Sequence, residues 1–576
     1  MPEFIYRINL SQMTAVKENI DNNLKGLGGR GLTSSIIEKE VPPRSHPLGK
    51  NNKLVFAPGL LAGTPAANSG RLSAGAKSPL TQTIKESNSG GTAAKLFAKT
   101  GIKALIIESI PEDKENWYGI RISPSAVKIE KTDLVGKGNF EVIKILSEKN
   151  NNTGIISIGT AGEMKMAAAN ISVKDPDGKI RSLGRGGLGA VMGSKRIKYI
   201  VIDSNDSNEV YIEDREKFKK ASKKFAKTLL DHPVSGTGLP TYGTDVLINL
   251  LNEAGGLPTK NFSSGQFEGH DMISGEKMHN LILERGGKIK HGCHEGCVIK
   301  CSQIYNDADK NYVTSGFEYE TIWATGANCG IDDLDILAKA DSIMDDIGID
   351  TIETGVAIAV AMEGKVLEFG DKKGFLNIIE KEIAQGTFLG RIIGAGAETT
   401  GKIFGVTRVP VVKGQGIPAY DPRAVKGIGI TYATSTMGAD HTAGYSVTAN
   451  VLNVGGLVDP LKKEGQVELS RNLQIATAAL DTAGLCIFVA FAVLDNKEAM
   501  SSLIEMLSAK SGTKMTENDI TELGASVLKT EKRFNEKAGF HAEHDRLPEF
   551  FTEEPLPPHN VLWNFTDEEI DEFWNF

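Results

Sequence analysis

Cysteine is scarce in this sequence. Only five cysteines occur among 576 residues, and they lack the even, dispersed spacing of a disulfide framework. Small secreted proteins depend on such frameworks, whereas reducing compartments keep thiols free. The cysteine content therefore argues against an extracellular disulfide scaffold and predicts a cytoplasmic protein.

Long apolar runs and basic charge are also missing. No stretch of 18 or more apolar residues occurs, so no membrane span is expected. Residues 1–11 lack the charged and apolar regions of a signal peptide. The net charge of −8 argues against nucleic-acid binding. No G-x-G-x-x-G pattern follows a predicted strand, so we expect no Rossmann dinucleotide site.

Glycine, in contrast, is abundant, with 63 residues concentrated in short loops. Up to residue 205 these loops alternate with β-branched runs such as Phe4–Asn9, Lys53–Ala57 and Tyr199–Asp203, which predict strands. Helical periodicity dominates afterwards, as in Asp245–Ala254. We predict an α+β multidomain fold, with a β-rich cofactor-binding domain at 1–205 and two mainly helical domains at 206–415 and 416–576.

Several of the glycine loops carry arginine. Arg71 follows Gly70, and Arg181 and Arg185 flank Gly184. Backbone N–H groups in such loops can bind phosphate, and a neighbouring guanidinium adds charge. One such loop is more often an ordinary hairpin, but several in one region indicate an anionic ligand.

Three of the five cysteines lie close together, at Cys293, Cys297 and Cys301. Cys486 and Cys329 are remote in sequence. Three thiolates at short spacing and a fourth from elsewhere suit a tetrahedral metal centre. A [4Fe–4S] cluster fits this pattern, as does a structural zinc ion. Buried cysteines without a metal are the third interpretation.

The pattern D-x-x-G-[IL]-[DC] occurs twice, at Asp345–Asp350 and at Asp481–Cys486. Each copy ends an amphipathic helix, the first of which we predict to be capped by Asp332, and glycine commonly ends helices. The carboxylate before each glycine can accept hydrogen bonds from a heterocycle. One copy alone is typical of an ordinary capped helix, whereas two copies indicate two similar ligands. Cys486 connects the second copy to the cysteine centre.

The C-terminal tail is proline-rich from Pro548 to Pro558 and carries Trp563 and Trp574 among acidic residues. We predict that this tail lies over the surface.

These motifs together resemble the aldehyde:ferredoxin oxidoreductases, which are tungsten enzymes with a bis-pterin cofactor and a [4Fe–4S] cluster. The resemblance runs from Tyr6 to about Pro557 and so covers nearly the whole chain. Besides the paired Asp motifs, the matching segments are Gly70-Arg71, Asn88-Ser-Gly90, the glycine-rich run from Gly184 to Lys195, Glu318-Tyr-Glu320 and the run from Pro418 to Arg423.

The resemblance implies roles for individual residues. The cluster ligands would be Cys293, Cys297, Cys301 and Cys486, although the family commonly has two residues between its first two cysteines and this chain has three. The pterin phosphates and a bridging Mg²⁺ would lie at Arg71, Asn88, Gly90, Arg181, Ser182, Gly184 and Arg185. One pterin would be held by Asp345, Ile349 and Asp350, and the other by Asp481, Leu485 and Ile487. The active-site residues would be Glu320 and His441.

Three positions depart from the family. Met437 and Ala443 stand where characterised members carry an arginine and a lysine beside the active-site histidine. Lys339 and Ser342 replace the Glu-x-x-His ligands of an iron that bridges some homodimers, so an iron-bridged homodimer is not expected. Cys329 stands where the tungsten-containing aromatic-ring reductases are thought to place a metal-ligating cysteine.

The resemblance implies oxidation of aldehydes to carboxylic acids at a tungsten bis-pterin centre, in which molybdenum could replace tungsten. Electrons would leave through the [4Fe–4S] cluster to ferredoxin or to a small iron–sulfur subunit in a hetero-oligomer. Two alternatives stay open. The chain could be the catalytic subunit of an aromatic-acyl-CoA (benzoyl-CoA-type) reductase, or a zinc-stabilised scaffold without catalytic activity.

Overall fold

The computed structural model describes residues 3–149, 152–205, 207 and 209–576. The N-terminal part contains two six-stranded sheets. The first consists of β1 Phe4–Asn9, β2 Thr14–Asn19, β3 Leu54–Pro58, β4 Leu72–Lys77, β5 Ile84–Ser89 and β6 Ile102–Glu108, with helices α1 Gly29–Glu40 and α2 Ala93–Lys99. The second consists of β7 Trp117–Ile122, β8 Val127–Thr132, β9 Gly154–Ser157, β10 Ile171–Lys174, β11 Ile180–Leu183 and β12 Ile197–Ile202, with α3 Asn139–Lys149, α4 Thr160–Glu163 and α5 Leu188–Ser194.

The two sheets have the same topology. Their strand orders are β2-β1-β6-β3-β4-β5 and β8-β7-β12-β9-β10-β11. Each has one parallel pair, β1 with β6 and β7 with β12, and antiparallel neighbours elsewhere. The edge strands β2 and β8 expose lysine and glutamate, which discourage edge-to-edge pairing. The inner strands are buried on both faces, and the two sheets share one apolar core.

The rest of the described chain is mainly helical, as the periodicity predicted. The elements before residue 417 are α6 Arg215–Asp231, α7 Leu239–Tyr242, α8 Leu247–Glu253, α9 Gly275–Glu284, β13 Lys288–His291, β14 Ser302–Asn306, β15 Tyr312–Ser315, α10 Tyr319–Thr325, α11 Leu334–Ile347, α12 Thr351–Glu363, α13 Lys372–Asn377, α14 Phe388–Ile393, α15 Ala397–Phe404, β16 Val411–Val412 and β17 Gln415–Gly416. Those after it are α16 Lys426–Thr434, α17 Val447–Asn450, α18 Gln466–Ala483, α19 Ala490–Asp495, α20 Lys497–Ser511, α21 Glu517–Ala538, α22 Phe550–Glu553 and α23 Asp567–Asp571.

A single apolar core crosses residue 415. It joins Trp323 and Val356 of the second predicted domain to Tyr420 and Ile428 of the third. The division at this residue therefore stays a prediction. In the described part of the chain we find no helix with both the length and the apolar character needed to cross a bilayer.

Three local predictions were wrong. The cap of α11 is Asp333, whose side chain accepts from the amides of Asp335 and Ile336, rather than Asp332. The segment 245–254 begins as a 3₁₀ turn, and α8 starts only at Leu247. Trp563 is 3% exposed, because its ring packs over Gly429 instead of lying on the surface.

The two Asp-x-x-Gly turns dock on the two sheets in equivalent ways. The carbonyl of Gly484 accepts from the amide of Arg71 (3.2 Å), and that of Gly348 accepts from the amide of Asn170 (2.9 Å). Both glycines have positive φ, +80° and +72°, which favours glycine there. Gly59 after β3 touches Gly484 so closely that an added Cβ would lie 2.1 Å from its Cα. The helical part is thereby fixed to both sheets.

Candidate active site

Two adjoining cavities lie where the sheets meet the helices. Their volumes are about 540 Å³ and 150 Å³. They share the lining residues Arg71, Gly184, Arg185, Ile352, His441, Thr442 and Ile487. The two glycine-loop regions and both Asp-x-x-Gly turns therefore face one continuous site.

Most residues predicted from the sequence line these cavities. The larger one is lined by Arg71, Gly90, Arg181, Ser182, Gly184, Arg185, Cys293, Cys301, Glu320, Asp345, Asp350, His441, Cys486 and Ile487. The smaller one is also lined by Asn88 and Asp481, with Met437 and Ala443 beside them. Residues separated by more than 400 positions in sequence, such as Arg71 and Ile487, thus meet at one site.

Ile349, Leu485 and Cys297 do not line either cavity. Ile349 and Leu485 are fully buried in apolar clusters, and their amides donate to Met344 and Leu480 within the helix ends. Their side chains therefore pack into the apolar core and hold the turns in place, instead of facing the cavities. Cys297 is buried next to Cys293.

Cys329 is also absent from the cavity walls. Its side chain is fully buried in the helical core, where the thiol donates to the carbonyls of Ala324 (3.3 Å) and Gly355 (3.6 Å). Burial raises the pKa of this thiol well above its ordinary value. These contacts turn Cys329 away from the site.

The loop between β13 and β14 brings the other cysteines together. Cys293, His294 and Cys297 have their ligand atoms within 4.8 Å of one another, and Cys297 interacts electrostatically with Cys301 and Cys486 as well. Asn68 organises this centre. Its Nδ2 lies 3.6 Å from Cys297 Sγ, and its carbonyl accepts from the amide of Cys486 (2.9 Å).

Close packing around this thiol centre leaves no room for side chains on two glycines. A Cβ at Gly90 would lie 2.9 Å from Cys293 Sγ, and a Cβ at Gly70 would lie 2.3 Å from the His294 ring. Glycine at positions 70 and 90 therefore leaves the space that the cysteine loop needs to pack against the Gly70-Arg71 and Asn88-Ser-Gly90 motifs. The extra residue between Cys293 and Cys297 is accommodated by Gly296, whose φ is +86°.

The donor set fits a cationic metal group. Burial raises the pKa of Cys301 and Cys486, whereas the contact with Cys297 holds the pKa of Cys293 well below its ordinary value. Four thiolates in one buried place repel one another, so a bound metal or cluster must offset their charge. Zinc and an iron–sulfur cluster both meet this condition.

Arginines at this site, one of which has a buried nitrogen without a hydrogen-bond partner in the described part of the chain, fit an anionic cofactor next to the thiols. Arg71 Nε is buried and has no hydrogen-bond acceptor among the described residues. Arg185 is held by Asp350 (3.2 Å) and Glu353 (3.2 Å), and Arg30 contacts Asp481 (3.3 Å). Asn88 Nδ2 donates to the same Asp481 (3.1 Å). Arginines fixed in this way suit phosphate.

Glu320 and His441 form a pair on the cavity wall. His441 Nε2 lies 3.1 Å from Glu320 Oε1. The Tyr420 hydroxyl donates to the same oxygen (2.8 Å) and lies 2.8 Å from the Tyr445 hydroxyl. Burial acts to raise the pKa of Glu320, but His441 and Tyr420 hold it below its ordinary value, so Glu320 is a carboxylate at neutral pH.

A second group of buried acids lies near this pair. Burial raises the pKa of Glu318 to about 7, although Thr244 Oγ1 donates to its carboxylate (2.7 Å). Burial likewise raises the pKa of Asp341 to about 7 and that of Asp345 well above its ordinary value. These three acids therefore hold protons at or near neutral pH.

Sequence reasoning missed several residues of the site. Arg30 lies in the first turn of α1 and Tyr420 in the Pro418–Arg423 segment, and the sequence assigned no role to either side chain. Asn68 and Tyr445 carried no signal in the sequence, because their importance depends on contacts made across the fold.

A buried four-thiol centre, an arginine-lined cavity and a carboxylate–imidazole pair define a cofactor-dependent redox enzyme. The family model "Aldehyde ferredoxin oxidoreductase, N-terminal domain" matches residues 5–204, and "Aldehyde ferredoxin oxidoreductase, domains 2 & 3" matches residues 220–576. The chain belongs to the aldehyde ferredoxin oxidoreductase family and is an oxidoreductase. At family level this supports aldehyde oxidation by a tungstopterin enzyme.

Relatives of known activity cover almost the whole chain. The "Tungsten-containing aldehyde ferredoxin oxidoreductase" of Thermococcus kodakarensis is 36% identical over 572 residues, which are 96% of this chain and 91% of that protein. The protein of the same name from Pyrococcus furiosus is 35% identical with the same coverage. The "Aliphatic sulfonate oxidoreductase, WOR-like subunit" of Pyrococcus furiosus is 26% identical over 92% of this chain and 86% of that subunit.

One similar solved structure is "Active site complex BamBC of Benzoyl Coenzyme A reductase in complex with 1,5 Dienoyl-CoA". It superimposes with a TM-score of 0.80 at 17% identity, covering 99% of this chain and 92% of that chain. At this identity the likeness shows the shared fold alone.

Proposed function

We propose that this protein oxidises aldehydes to carboxylic acids at a tungstopterin centre and releases electrons through a [4Fe–4S] cluster. The observation that carries the proposal is the pair of Glu320 and His441, which faces a cavity also lined by Cys293, Cys301 and Cys486. Groups suited to acid–base chemistry and thiols suited to a redox cluster thus line the same cavity.

The residues described above would hold the cluster, the pterins and the phosphates as follows. The cluster would bind to Cys293, Cys297, Cys301 and Cys486. One pterin would be held at Asp345 and Asp350 and the other at Asp481 and Ile487, with tungsten or molybdenum as the metal. Their phosphates with Mg²⁺ would lie at Arg71, Asn88, Gly90, Arg181, Ser182, Gly184 and Arg185. When bound, the metal–pterin centre supplies the two-electron oxidation.

The protein's own part is proton transfer. Oxidation of RCHO with H₂O to RCOO⁻ releases two electrons and three protons, so a base is required. Both donors to the Glu320 carboxylate lie at Oε1, which leaves Oε2 to take a proton from water. His441 Nδ1 is buried without a hydrogen-bond partner among the described residues, and when protonated it can donate to the aldehyde oxygen.

The lining of the larger cavity favours an uncharged, apolar aldehyde as the substrate. Beyond the acid–base pair the larger cavity is lined by aliphatic and aromatic side chains, namely Val234, Leu239, Val246, Leu247, Leu250, Leu452, Phe488, Phe491 and Leu494. Such a lining favours burial of a hydrocarbon or aryl substituent.

Ferredoxin or a small iron–sulfur subunit would accept the electrons. Lys339 forms an ion pair with Glu380 (2.5 Å) at the position where an iron-bridged homodimer would need a ligand. An ammonium group cannot ligate iron, so a hetero-oligomer is the more suitable assembly.

Metal analysis and an aldehyde panel test the proposal together. Protein purified without oxygen should contain tungsten or molybdenum with about four irons, the content of one [4Fe–4S] cluster. It should reduce benzyl viologen when an apolar aldehyde is added. Zinc as the only metal would contradict the proposal and favour the scaffold, and activity with a dienoyl-CoA but with no aldehyde would favour the acyl-CoA reductase.

A further inference from the structure

Helix α6 carries a strongly basic face. It contains seven Lys and Arg residues and two acidic residues in a chain whose net charge is −8. The exposed basic residues are Arg215, Lys217, Lys219, Lys220, Lys223, Lys224 and Lys227. Arg215 pairs with Glu209, and Lys227 pairs with Asp231. The four lysines from 219 to 224 pair with no carboxylate among the residues the structure describes.

The opposite face of α6 packs mainly on α20. Phe218, Ala221 and Phe225 belong to an apolar cluster that also contains Ala66 and Cys486. The exposed basic side chains therefore project away from this cluster, since residues three and four apart share one helix face.

A short segment connects α6 to the cysteines. Ser222 Oγ donates to the carbonyl of Pro65 (2.8 Å). Three residues later, Asn68 Nδ2 lies 3.6 Å from Cys297 Sγ. Segment 65–68 is thus in contact with the helix at one end and with the thiol centre at the other.

We propose that the basic face of α6 is the docking surface for a small acidic protein that carries single electrons. The inference rests on the proposed function, because it assumes that a cluster at the thiol centre releases electrons. Charge complementarity would steer such a partner onto α6, whereas the acidic remainder of the chain would repel it. The helix is about 25 Å long. A surface of this extent suits a transient redox complex, which buries only a small area.

Charge reversal on α6 tests this surface in the complete enzyme. The variant K219E/K223E changes two lysines that lie one helical turn apart. With a small acidic [4Fe–4S] ferredoxin as acceptor, we expect the KM for ferredoxin to rise about tenfold or more and its dependence on salt to weaken. Turnover with benzyl viologen, a small dication that needs no docking surface, should not fall.

A matched control and a binding readout complete the test. The variant K144E/K149E reverses two exposed lysines on α3, a helix that packs against β9 and α11, and it should leave the KM for ferredoxin unchanged. Carbodiimide cross-linking should join ferredoxin carboxylates to lysines of α6. An unchanged KM in K219E/K223E, or cross-links confined to other surfaces, would overturn the docking proposal. Absence of viologen reduction in the unmodified enzyme would instead contradict the proposed function.

Discussion

Replacing Glu320 by Gln isolates the role of its carboxylate. The carboxylate accepts from Tyr420 (2.8 Å) and lies 3.1 Å from His441 Nε2. Glutamine keeps the shape and one acceptor oxygen, but its amide nitrogen cannot accept a proton. Loss of a positioned base costs about 10²–10⁴ in rate. We therefore expect turnover to fall about a hundredfold or more while the metal and iron contents stay unchanged.

The assay is aldehyde-dependent reduction of benzyl viologen, normalised to bound tungsten or molybdenum. Tyr420→Phe is the matched control, because it removes the hydrogen bonds of this hydroxyl to Glu320 and Tyr445, together worth about 1–3 kcal/mol, but leaves the carboxylate. Turnover of this variant should fall about tenfold, and the dependence of turnover on pH near neutrality should not change. The pKa of Glu320 lies below its ordinary value of 4.5, so this group should not limit the unmodified enzyme near neutral pH. Turnover of metal-replete E320Q within twofold of the unmodified enzyme would refute the role of Glu320 as a base.

Three further predictions concern the thiol centre and the buried acids. Cys486→Ser should remove the cluster iron and its electron paramagnetic resonance signal, whereas Cys329→Ser should keep both; full iron content in C486S would exclude Cys486 as a ligand. Gly90→Ala should also lower iron content, because its Cβ would lie 2.9 Å from Cys293 Sγ, and normal iron content would contradict this packing argument. Folded Glu318 has a pKa of about 7 against an ordinary 4.5, so stability is lost as pH rises through this window. In cofactor-free protein, Glu318→Gln should therefore gain about 3 kcal/mol at pH 8 and little at pH 4 in urea unfolding, and an equal effect at both pH values would contradict the burial argument.

Local patterns predicted much of the fold. The strand at Phe4–Asn9 was predicted with its observed bounds, because β-branched and aromatic residues there end at polar turn residues. Gly348 and Gly484 were recognised as helix ends, since glycine adopts positive φ at little cost. The matching topology of the two sheets could not be predicted, because it depends on pairings between distant strands.

The candidate site, too, was predictable only in part. Motifs with short spacing, such as the three clustered cysteines, were visible in the sequence. The partners that adjust the chemistry were not. The hydrogen bond from Tyr420 to Glu320 joins residues 100 positions apart, and the contact of Asn68 with Cys297 joins residues 229 apart. The sequence alone therefore indicated ligand types but not the network that holds them.

Under the proposed function, the two Asp-x-x-Gly turns would separate cofactor support from electron exit. At the last position of each turn, the amide of Asp350 donates to Ala168 and that of Cys486 donates to Asn68, both at 2.9 Å. These two backbone contacts are thus equivalent, whereas the side chains differ. Asp350 pairs with Arg185, whereas Cys486 joins the thiol centre. Exchanging Asp350 for cysteine would not create a second centre, because the clustered cysteines lie beside one turn only. The position of the cysteine loop against the first sheet therefore decides which turn would carry the redox group.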